Sequence, residues 1–457
     1  MGTYETEVVQ SEGVCCQNTK TLDHFCGNGS LLRKTRSRCI ECGTEVHAEV
    51  WKSSDVPPRI YLRKYCPEHG VTSARLSSDA RFYFIPTEGE ACGCGPGGCG
   101  APLGDNAQTS TQLHTCTLVV EIVRDCNMSC PTCYADSPLH KHGNLNLLSL
   151  EQLQAQVLPV LERQGRIDIL QLSGGEPTLH PDLFRIITWA SQEERIVDIL
   201  LNTNGIRLAD PGFARQLSEV VPHGRFGVYL QYDGVNEETT FQLRGGDVRR
   251  VRERALDQCR NFGLSVALVM TVAHENKFEC GEVLATACLP ENDHIRWVVF
   301  QPEFLSGRNN PEKLLEIPIN VADIVHSIAR NSMMDLRSWM PLPCSDPNCG
   351  MIGFLVRVNG QWRPASEFLD LSQFAPLIAN RMNFDTDDSV SACGCDDYNL
   401  GEYLARFNIR REDTKIVFIK PFMDTRTWDQ SRIDACCTHV LTPAGKVDSF
   451  CRYYGLK

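Results

Sequence analysis

Three cysteines in one short stretch have a spacing that suits an iron–sulfur cluster. Cys126, Cys130 and Cys133 form the pattern CxxxCxxC, and Tyr134 follows directly. Cysteine thiolates are the usual ligands of such clusters, normally four for each cluster, so three thiolates would leave one iron open to a substrate or a cofactor. A structural zinc site is the alternative, but zinc prefers four ligands in pairs, and no paired fourth ligand lies close by in the sequence. The spacing therefore favours a [4Fe–4S] cluster held at three corners, with these cysteines carrying the chemistry.

The stretches around these cysteines predict a parallel α/β sheet. An apolar run at 118–123 precedes the cysteines and indicates a buried strand, and five more strand–helix units follow. Ser149 and Gln152 form a capping box that opens the first helix. Strands are expected at 118–123, 167–172, 197–201, 226–232, 264–272 and 295–300, and helices at 150–162, 181–190, 212–221, 248–262, 279–288 and 321–334. Six alternating units indicate a parallel sheet, open or closed, with its chemistry at the carboxyl ends of the strands.

Glycine-rich and polar segments follow the second and third expected strands. Gly174, Gly175 and Glu176 belong to the segment SGGEPT after the second strand, where two glycines expose backbone groups. Asn202 and Asn204 follow the third strand. Because the carboxyl ends of parallel strands share one edge, these residues are expected near the three cysteines. Their polar groups there either contact a cofactor or stabilise a local turn.

The three-cysteine motif with its aromatic neighbour, the α/β core and the GGEP segment together resemble the radical S-adenosylmethionine (SAM) superfamily. The resemblance implies a partial (βα)6 TIM-like barrel and a [4Fe–4S] cluster whose open iron binds the amine and carboxylate of SAM. It also implies that the reduced cluster cleaves SAM to methionine and a 5′-deoxyadenosyl radical. The cofactor contacts that it implies are Tyr134, Gly174, Gly175, Glu176, Asn202 and Asn204.

A second set of cysteines lies ahead of the core. Cys39 and Cys42 form a CxxC knuckle, two short alternating runs follow, and Cys66 returns in the segment CPEHG. This layout is typical of a small metal ribbon. The fourth ligand is either His69 or a cysteine from 92–99, and both iron and zinc suit a tetrahedral thiolate site. We therefore expect a mononuclear iron or zinc in this ribbon.

The remaining cysteines predict auxiliary metal centres. One centre would use Cys99 and Cys116 with either Cys92 or Cys94, from a Gly-rich stretch and the start of the first strand. Another would use Cys344, Cys349 and Cys451 with either Cys436 or Cys437, all from the C-terminal part of the chain. Incidental thiols are the alternative for both sets. No role is assigned to Cys15, Cys16, Cys26, Cys393 and Cys395.

The composition indicates several domains and argues against a nucleic-acid binder. A chain of 457 residues exceeds one simple core, and a net charge of −12 is opposite to the basic surface that nucleic acid requires. No apolar run is long enough to predict a membrane span, and MGTYETEVVQ lacks the features of a secretory signal. The 23 cysteines, grouped in tight clusters, favour metal sites in a reducing cytoplasm over disulfides. The expected division is an N-terminal extension at 1–34, a metal ribbon and linker at 35–116, the core at 117–335 and a C-terminal auxiliary iron–sulfur region at 336–457.

Over about residues 35–455 the chain resembles the tetraether lipid synthase family, also described as pterin methyltransferases. The ribbon, Cys116 ahead of the core and a tail with Cys436, Cys437 and Cys451 carry this resemblance. It implies two auxiliary [4Fe–4S] clusters, a rubredoxin-like iron, and a flavodoxin or ferredoxin as reductant. The function expected first is carbon–carbon bond formation between lipid chains, with peripheral contact to a membrane. The alternatives are methylation of a pterin or another small heterocycle and, in a different class, a non-catalytic iron–sulfur electron carrier or sensor.

Overall fold

A four-stranded antiparallel sheet forms the N-terminal part of the computed structural model. The structure describes residues 25, 29–85, 115–222, 224–342, 346–368, 371, 389–390, 398–399 and 410–455. The strands of this sheet, in spatial order, are β1 (Gly29–Arg38), β2 (Glu45–Ser53), β3 (Ile60–Cys66) and β4 (Gly70–Ser77). The expected hairpin is therefore β2–β3, and β1 and β4 are added on its two sides. Ala48, Val50 and Leu62 are buried beneath it, in keeping with the alternation along β2.

The core contains the six parallel strands that the sequence predicts, and neighbouring strands pair in chain order. They are β5 (Thr117–Val123), β6 (Ile167–Gly174), β7 (Ile196–Thr203), β8 (Phe226–Gln231), β9 (Val266–Val272) and β10 (Ile295–Pro302). The helices are α1 (Leu150–Gln164), α2 (Leu183–Gln192), α3 (Pro211–Val220), α4 (Glu237–Arg244), α5 (Arg249–Asn261), α6 (Cys280–Ala287) and α7 (Val321–Asn331). The (βα)6 core is thus confirmed, with α4 as an additional helix between β8 and α5. The capping box of Ser149 and Gln152 opens α1 as expected.

The C-terminal part adds a parallel strand to each side of this core. β16 pairs with β10, and β17 pairs with β5. The remaining elements are β11 (Met340–Pro341), β12 (Met351–Val358), β13 (Gln361–Pro364), β14 (Ser389–Val390), β15 (Tyr398–Asn399), β16 (Thr414–Ile419), α8 (Gln430–Asp434), β17 (Thr438–Leu441), β18 (Val447–Ser449) and α9 (Phe450–Gly455). The cysteines of this region predict only metal ligands, whereas the structure shows that two of its strands also extend the sheet of the core. The sheet therefore has eight adjacent parallel strands, with antiparallel strands beyond them.

Side-chain alternation along the parallel strands separates a packed outer layer from an inner face. In β6, Leu170 and Leu172 are fully buried against the helices, whereas Gln171 and Ser173 line a cavity inside the barrel. This alternation places polar side chains on the inside of a barrel whose outside is packed with apolar residues.

The N-terminal sheet is bound to the segment before α8. Arg33 forms a buried ion pair with Asp429, and the Thr35 hydroxyl donates to the same carboxylate at 2.8 Å. The Ser37 hydroxyl donates to the Trp428 carbonyl at 2.5 Å, and the Arg38 guanidinium lies 5.1 Å from the Trp428 ring centre. These contacts connect the ribbon rigidly to the C-terminal part of the chain.

None of the helices in the described part of the chain combines the length and the apolar composition that crossing a membrane demands.

Candidate functional site

The three cysteines lie in a loop that begins just beyond the carboxyl end of β5. The Cys126 amide donates to the Pro138 carbonyl at 2.9 Å, and the His140 amide donates back to the Cys126 carbonyl at 2.8 Å. A turn brings the Cys133 amide to 3.3 Å from the Cys130 carbonyl. All three cysteines line one cavity, together with the ends of the neighbouring strands. The loop therefore faces the inside of the barrel, as the position of the motif predicts.

Two glycines at the end of β6 allow this loop to approach closely. Gly174 has φ +121°, and a Cβ atom there would lie 1.9 Å from the Val123 carbonyl oxygen. A Cβ atom at Gly175 would lie 2.1 Å from the Asp125 carbonyl oxygen. The Gly175 amide also donates to Val123 at 2.7 Å. Only glycine fits here, because any side chain would push away the segment that leads into Cys126.

Glu176 joins the end of β6 to the end of β7. One carboxylate oxygen accepts from the Thr178 amide and hydroxyl and from the Thr203 hydroxyl, at 3.1, 2.6 and 2.8 Å. The other accepts from the Asn204 amide at 2.8 Å. Glu176 is 1 % exposed, and burial raises the pKa of its carboxyl group although these hydrogen bonds oppose the shift. Its carboxylate thus fixes the relative position of two strand ends that line the cavity.

The two asparagines predicted at the third strand end take different positions. Asn204 donates through Nδ2 to the Asn127 side chain at 2.7 Å, and the same atom lies 4.0 Å from the Cys126 sulfur. Asn202 accepts from Gln171 at 2.7 Å and donates to the Ser173 hydroxyl at 2.9 Å. Asn204 therefore supports the cysteine loop, whereas Asn202 belongs to a polar network on the barrel wall.

Tyr134 lies within a group of aromatic rings. Its ring centre is 4.9 Å from that of Tyr454, 5.6 Å from that of Phe450 and 6.1 Å from that of Phe304. Burial raises the pKa of the Tyr134 phenol above its ordinary value. The residue after the third cysteine thus packs against α9, which carries Cys451. This aromatic contact between the two cysteine-bearing segments is not predictable from the spacing of the cysteines.

The cavity has a volume of about 640 Å³ and runs along the inside of the barrel. It reaches from the cysteine loop to Leu264, near the amino end of β9. Three amide or phenol side chains besides those already named face it, and Gln301 donates to the Tyr229 hydroxyl at 2.8 Å. Its wall includes Gln171, Asn202, Tyr229, Gln231 and Gln301 as polar groups and Phe304, Phe422 and Phe450 as apolar ones. The space thus combines hydrogen-bonding and apolar surfaces beside the cysteines.

A buried charge network touches the second cysteine. Arg244 pairs with Asp233 through two hydrogen bonds of 2.6 and 2.7 Å, and its guanidinium lies close enough to Cys130 to interact with it electrostatically. Arg252 donates to Asp233 at 3.0 Å. Burial would raise the pKa of Asp233, but the two arginines hold it below its usual value. The sequence pattern predicts a helix at 248–262 but no role for either arginine, because the pairing of Arg244 and Arg252 with Asp233 exists only in three dimensions.

The ribbon brings four metal-binding side chains together. The ligand atoms of Cys39, Cys42, Cys66 and His69 all lie within 4.8 Å of one another. His69 Nδ1 is 3.6 Å from the Cys39 sulfur and 3.5 Å from the Cys66 sulfur. Hydrogen bonds from Thr44 lower the pKa of the Cys42 thiol to about 6, which favours the thiolate that a metal requires. Three thiolates and one imidazole fit a tetrahedral zinc or iron site, and His69 fills the fourth place left open by the sequence.

The described C-terminal cysteines gather near α8 and α9. Cys436, Cys451 and Arg432 lie close enough to Cys349 to interact with it electrostatically. Burial raises the pKa of the Cys451 thiol to about 11.

Cys116 and Cys437 pack in one buried cluster, and the Cys116 amide donates to the Cys437 carbonyl at 2.9 Å. The predicted ligands Cys92, Cys94, Cys99 and Cys344 lie outside the described residues. Ligation by these two sets therefore stays a prediction.

The donor set and the backbone geometry fit the cluster that the sequence predicts. Cys126, Cys130 and Cys133 provide three thiolates at one cavity, and the glycines of β6 give the close approach that positions them. Gly174, Gly175, Glu176, Asn202, Asn204 and Tyr134 all line the same cavity. The three thiolates and the six neighbouring residues thus share one cavity, and their roles as cluster ligands and cofactor contacts stay predictions.

Comparison with known proteins agrees with this geometry. Residues 120–287 match the radical SAM superfamily, and residues 31–78 match the HMPTM N-terminal zinc ribbon domain. The chain is 24 % identical over 490 aligned positions to the 7,8-dihydro-6-hydroxymethylpterin dimethyltransferase of Methanocaldococcus jannaschii, with 93 % of each chain covered.

Two further matches cover only part of the chain. A GTP 3′,8-cyclase of Campylobacter jejuni subsp. doylei is 30 % identical over 35 % of this chain and 47 % of its own length. The match to the solved structure of a methylornithine synthase covers 48 % of this chain and 64 % of that one, at 15 % identity and a TM-score of 0.35. The tetraether lipid synthase part of the resemblance is not confirmed by these comparisons.

Proposed function

We propose that this radical SAM enzyme, with its N-terminal zinc ribbon, methylates a reduced pterin or a similar small heterocycle. The observation that carries the proposal is the likeness to the dihydrohydroxymethylpterin dimethyltransferase over 93 % of both chains. Such an alignment includes the ribbon and the C-terminal part as well as the radical SAM domain. Methylation of a pterin or another small heterocycle, the alternative in the sequence analysis, thus has more support than carbon–carbon bond formation between lipid chains.

In this proposal Cys126, Cys130 and Cys133 hold a [4Fe–4S] cluster beside bound SAM. When bound and reduced, the cluster supplies the electron that cleaves SAM to methionine and a 5′-deoxyadenosyl radical. A radical is needed because an unactivated C–H bond resists acid–base chemistry. Gly174 and Gly175 shape the space beside the thiolates, and the side chain of Asn204 supports the loop that carries Cys126.

The barrel wall would select the substrate. A volume of about 640 Å³ lies within the range of about 300–1,000 Å³ that is typical of small-molecule and cofactor sites. Gln171, Asn202 and Gln301 present amide groups that match the alternating donors and acceptors on the edge of a pterin ring. Phe304, which also lines the cavity, offers an apolar surface for a ring face. A site with convergent amides and one aromatic wall suits a flat polar heterocycle.

Auxiliary centres and a reductant complete the proposal. Cys349, Cys436 and Cys451 are proposed ligands of an auxiliary [4Fe–4S] cluster, with Cys344 as the fourth. Cys116 and Cys437 are proposed for a neighbouring centre with Cys99 and either Cys92 or Cys94. Electrons would come from a flavodoxin or ferredoxin. A cytoplasmic location and the four-part domain division stay predictions.

Carbon–carbon bond formation between lipid chains remains the second candidate, because one wall of the cavity is apolar. Phe304, Phe422 and Phe450 form that wall, and the rings of Phe422 and Phe450 stack with centres 4.1 Å apart. An alkyl chain would contact these rings without requiring the amides opposite. A non-catalytic electron carrier is excluded as the function, because the chain is a radical SAM enzyme.

A binding experiment separates the two candidates. We expect the anaerobically reconstituted enzyme to bind 7,8-dihydro-6-hydroxymethylpterin, and a Gln171→Leu variant to bind it more weakly through loss of one amide partner. Isothermal titration measures both affinities. The pterin assignment is wrong if the enzyme binds a long-chain ether lipid and shows no heat with the pterin.

A further inference from the structure

Two buried arginines share one buried aspartate next to the predicted cluster ligand Cys130. Arg244, Arg252 and Asp233 are 6 %, 1 % and 0 % exposed. Asp233 also accepts from the Thr271 amide at 3.2 Å, so its negative charge is well compensated. Two guanidinium groups and one carboxylate leave the network with one net positive charge in the protein interior.

Part of the Arg252 guanidinium is buried without a hydrogen-bond partner in the described part of the chain. The atoms concerned are Nε and Nη1. Buried donors are normally paired, and an uncompensated buried charge is costly. Arg252 and Arg244 both interact electrostatically with Cys130, so a negative group at the cysteines would offset the charge.

The network also orients its charge toward the cysteine loop. The Nη1 atom of Arg244 lies 3.5 Å from the hydroxyl of Thr132, which belongs to the cysteine loop, and Arg244 and Cys130 line the same cavity. The Thr132 hydroxyl in turn donates to the Leu243 carbonyl at 3.0 Å. The Arg244 guanidinium is therefore bonded to Thr132 in the loop and to Asp233 in the protein interior. Arg252 contacts the same Asp233 carboxylate.

We propose that Arg252 is a positioning residue that, through Asp233 and Arg244, raises the reduction potential of the cluster held by Cys126, Cys130 and Cys133. The inference rests on the proposed cluster ligation. Reduction adds one electron from dithionite or a flavodoxin to the cluster, with no bond broken and no proton transferred. The negative charge of the cluster grows by one unit, and a buried positive charge attracts that added charge more strongly than the same charge would across water.

The test measures the midpoint potential of the reconstituted full-length enzyme, without SAM, by redox titration followed by electron paramagnetic resonance. Arg252→Met removes the positive charge while keeping an unbranched side chain, and we expect a lower potential. Asp233→Asn removes the negative charge, and we expect a higher one. Arg252→Lys keeps the charge and serves as the matched control. We expect each charge change to alter the reduction equilibrium about tenfold, which is 59 mV for one electron.

The opposite signs distinguish electrostatics from damage. Shifts in the same direction, or an unchanged potential in folded Arg252→Met, would overturn the inference. If Asp233→Asn does not fold, the comparison of Arg252→Met with Arg252→Lys decides alone: equal potentials in the two variants overturn the inference. Absence of a [4Fe–4S] resonance from the reconstituted wild-type enzyme would instead refute the proposed ligation, so the two failures are distinct.

Discussion

Replacing Gly175 with alanine tests whether the end of β6 positions the cysteine loop. The new Cβ atom would lie 2.1 Å from the Asp125 carbonyl oxygen and 2.4 Å from its carbonyl carbon. A Cβ atom essentially never lies closer than 3.0 Å to another heavy atom. The Asp125 oxygen, at 2.1 Å, must therefore move away by about 0.9 Å. Gly175 does not have a positive φ, so the strain is purely steric. The displaced carbonyl belongs to the residue directly before Cys126.

The expected effect is larger on chemistry than on folding. Insertion of one methyl group into a tightly packed site costs about 1–3 kcal/mol of stability. A displacement of about 1 Å at reacting groups costs about 100-fold in rate. We therefore expect Gly175→Ala to remain folded, to bind iron with lower stoichiometry and to cleave SAM about 100-fold more slowly.

The assay compares this variant with a second glycine that has room for a methyl group. A Cβ atom at Gly246 would meet nothing within 4 Å, so Gly246→Ala serves as the control. Both variants are reconstituted without oxygen, and 5′-deoxyadenosine is measured by liquid chromatography. Equal rates of SAM cleavage in Gly175→Ala and Gly246→Ala would refute the claim that close contact at β6 positions the thiolates.

Three further results are expected. His69→Ala should lower the zinc or iron content of the ribbon, measured by mass spectrometry, whereas the exposed His47→Ala should not; equal contents would remove His69 from the ligand set. Glu176→Gln should cost about 1–3 kcal/mol in chemical denaturation, because its amide donor would face groups that already donate, and unchanged stability would contradict that role. Burial lowers the pKa of His294 to about 4, below its unfolded value of about 6.5, so stability should fall by up to about 3 kcal/mol as pH drops through this range. In thermal denaturation, a His294→Gln variant should lose less stability than the wild type over the same pH range. An equal loss of stability in both proteins would assign the effect to other groups.

Local sequence patterns predicted the parallel core because each strand and helix has its own periodicity. The six strands and their helices follow alternating apolar runs, and Ser149 marks the start of α1 as its capping residues require. β16 and β17 were missed because their parallel partners lie far away along the chain. Thr438 pairs with Thr117, for example, and nothing in either segment indicates that contact.

The site could be predicted where motif and position coincide. The three cysteines and the glycines after β6 were found because both occur at strand ends of one sheet. Arg252 was missed because four of the six residues within three positions of it are charged, which indicates a solvated helix face, while its partner Asp233 lies 19 positions earlier. The choice of His69 in the ribbon likewise depends on three-dimensional distances that spacing alone does not give.

Pterin methylation is tested most directly when the reconstituted enzyme is incubated with dithionite, SAM and 7,8-dihydro-6-hydroxymethylpterin. We expect 5′-deoxyadenosine to form in a pterin-dependent way, and the pterin to gain the mass of one or more CH₂ units. A Cys130→Ala variant should form neither product. The account is contradicted if the pterin is unchanged while deuterium passes from a labelled long-chain ether lipid into 5′-deoxyadenosine.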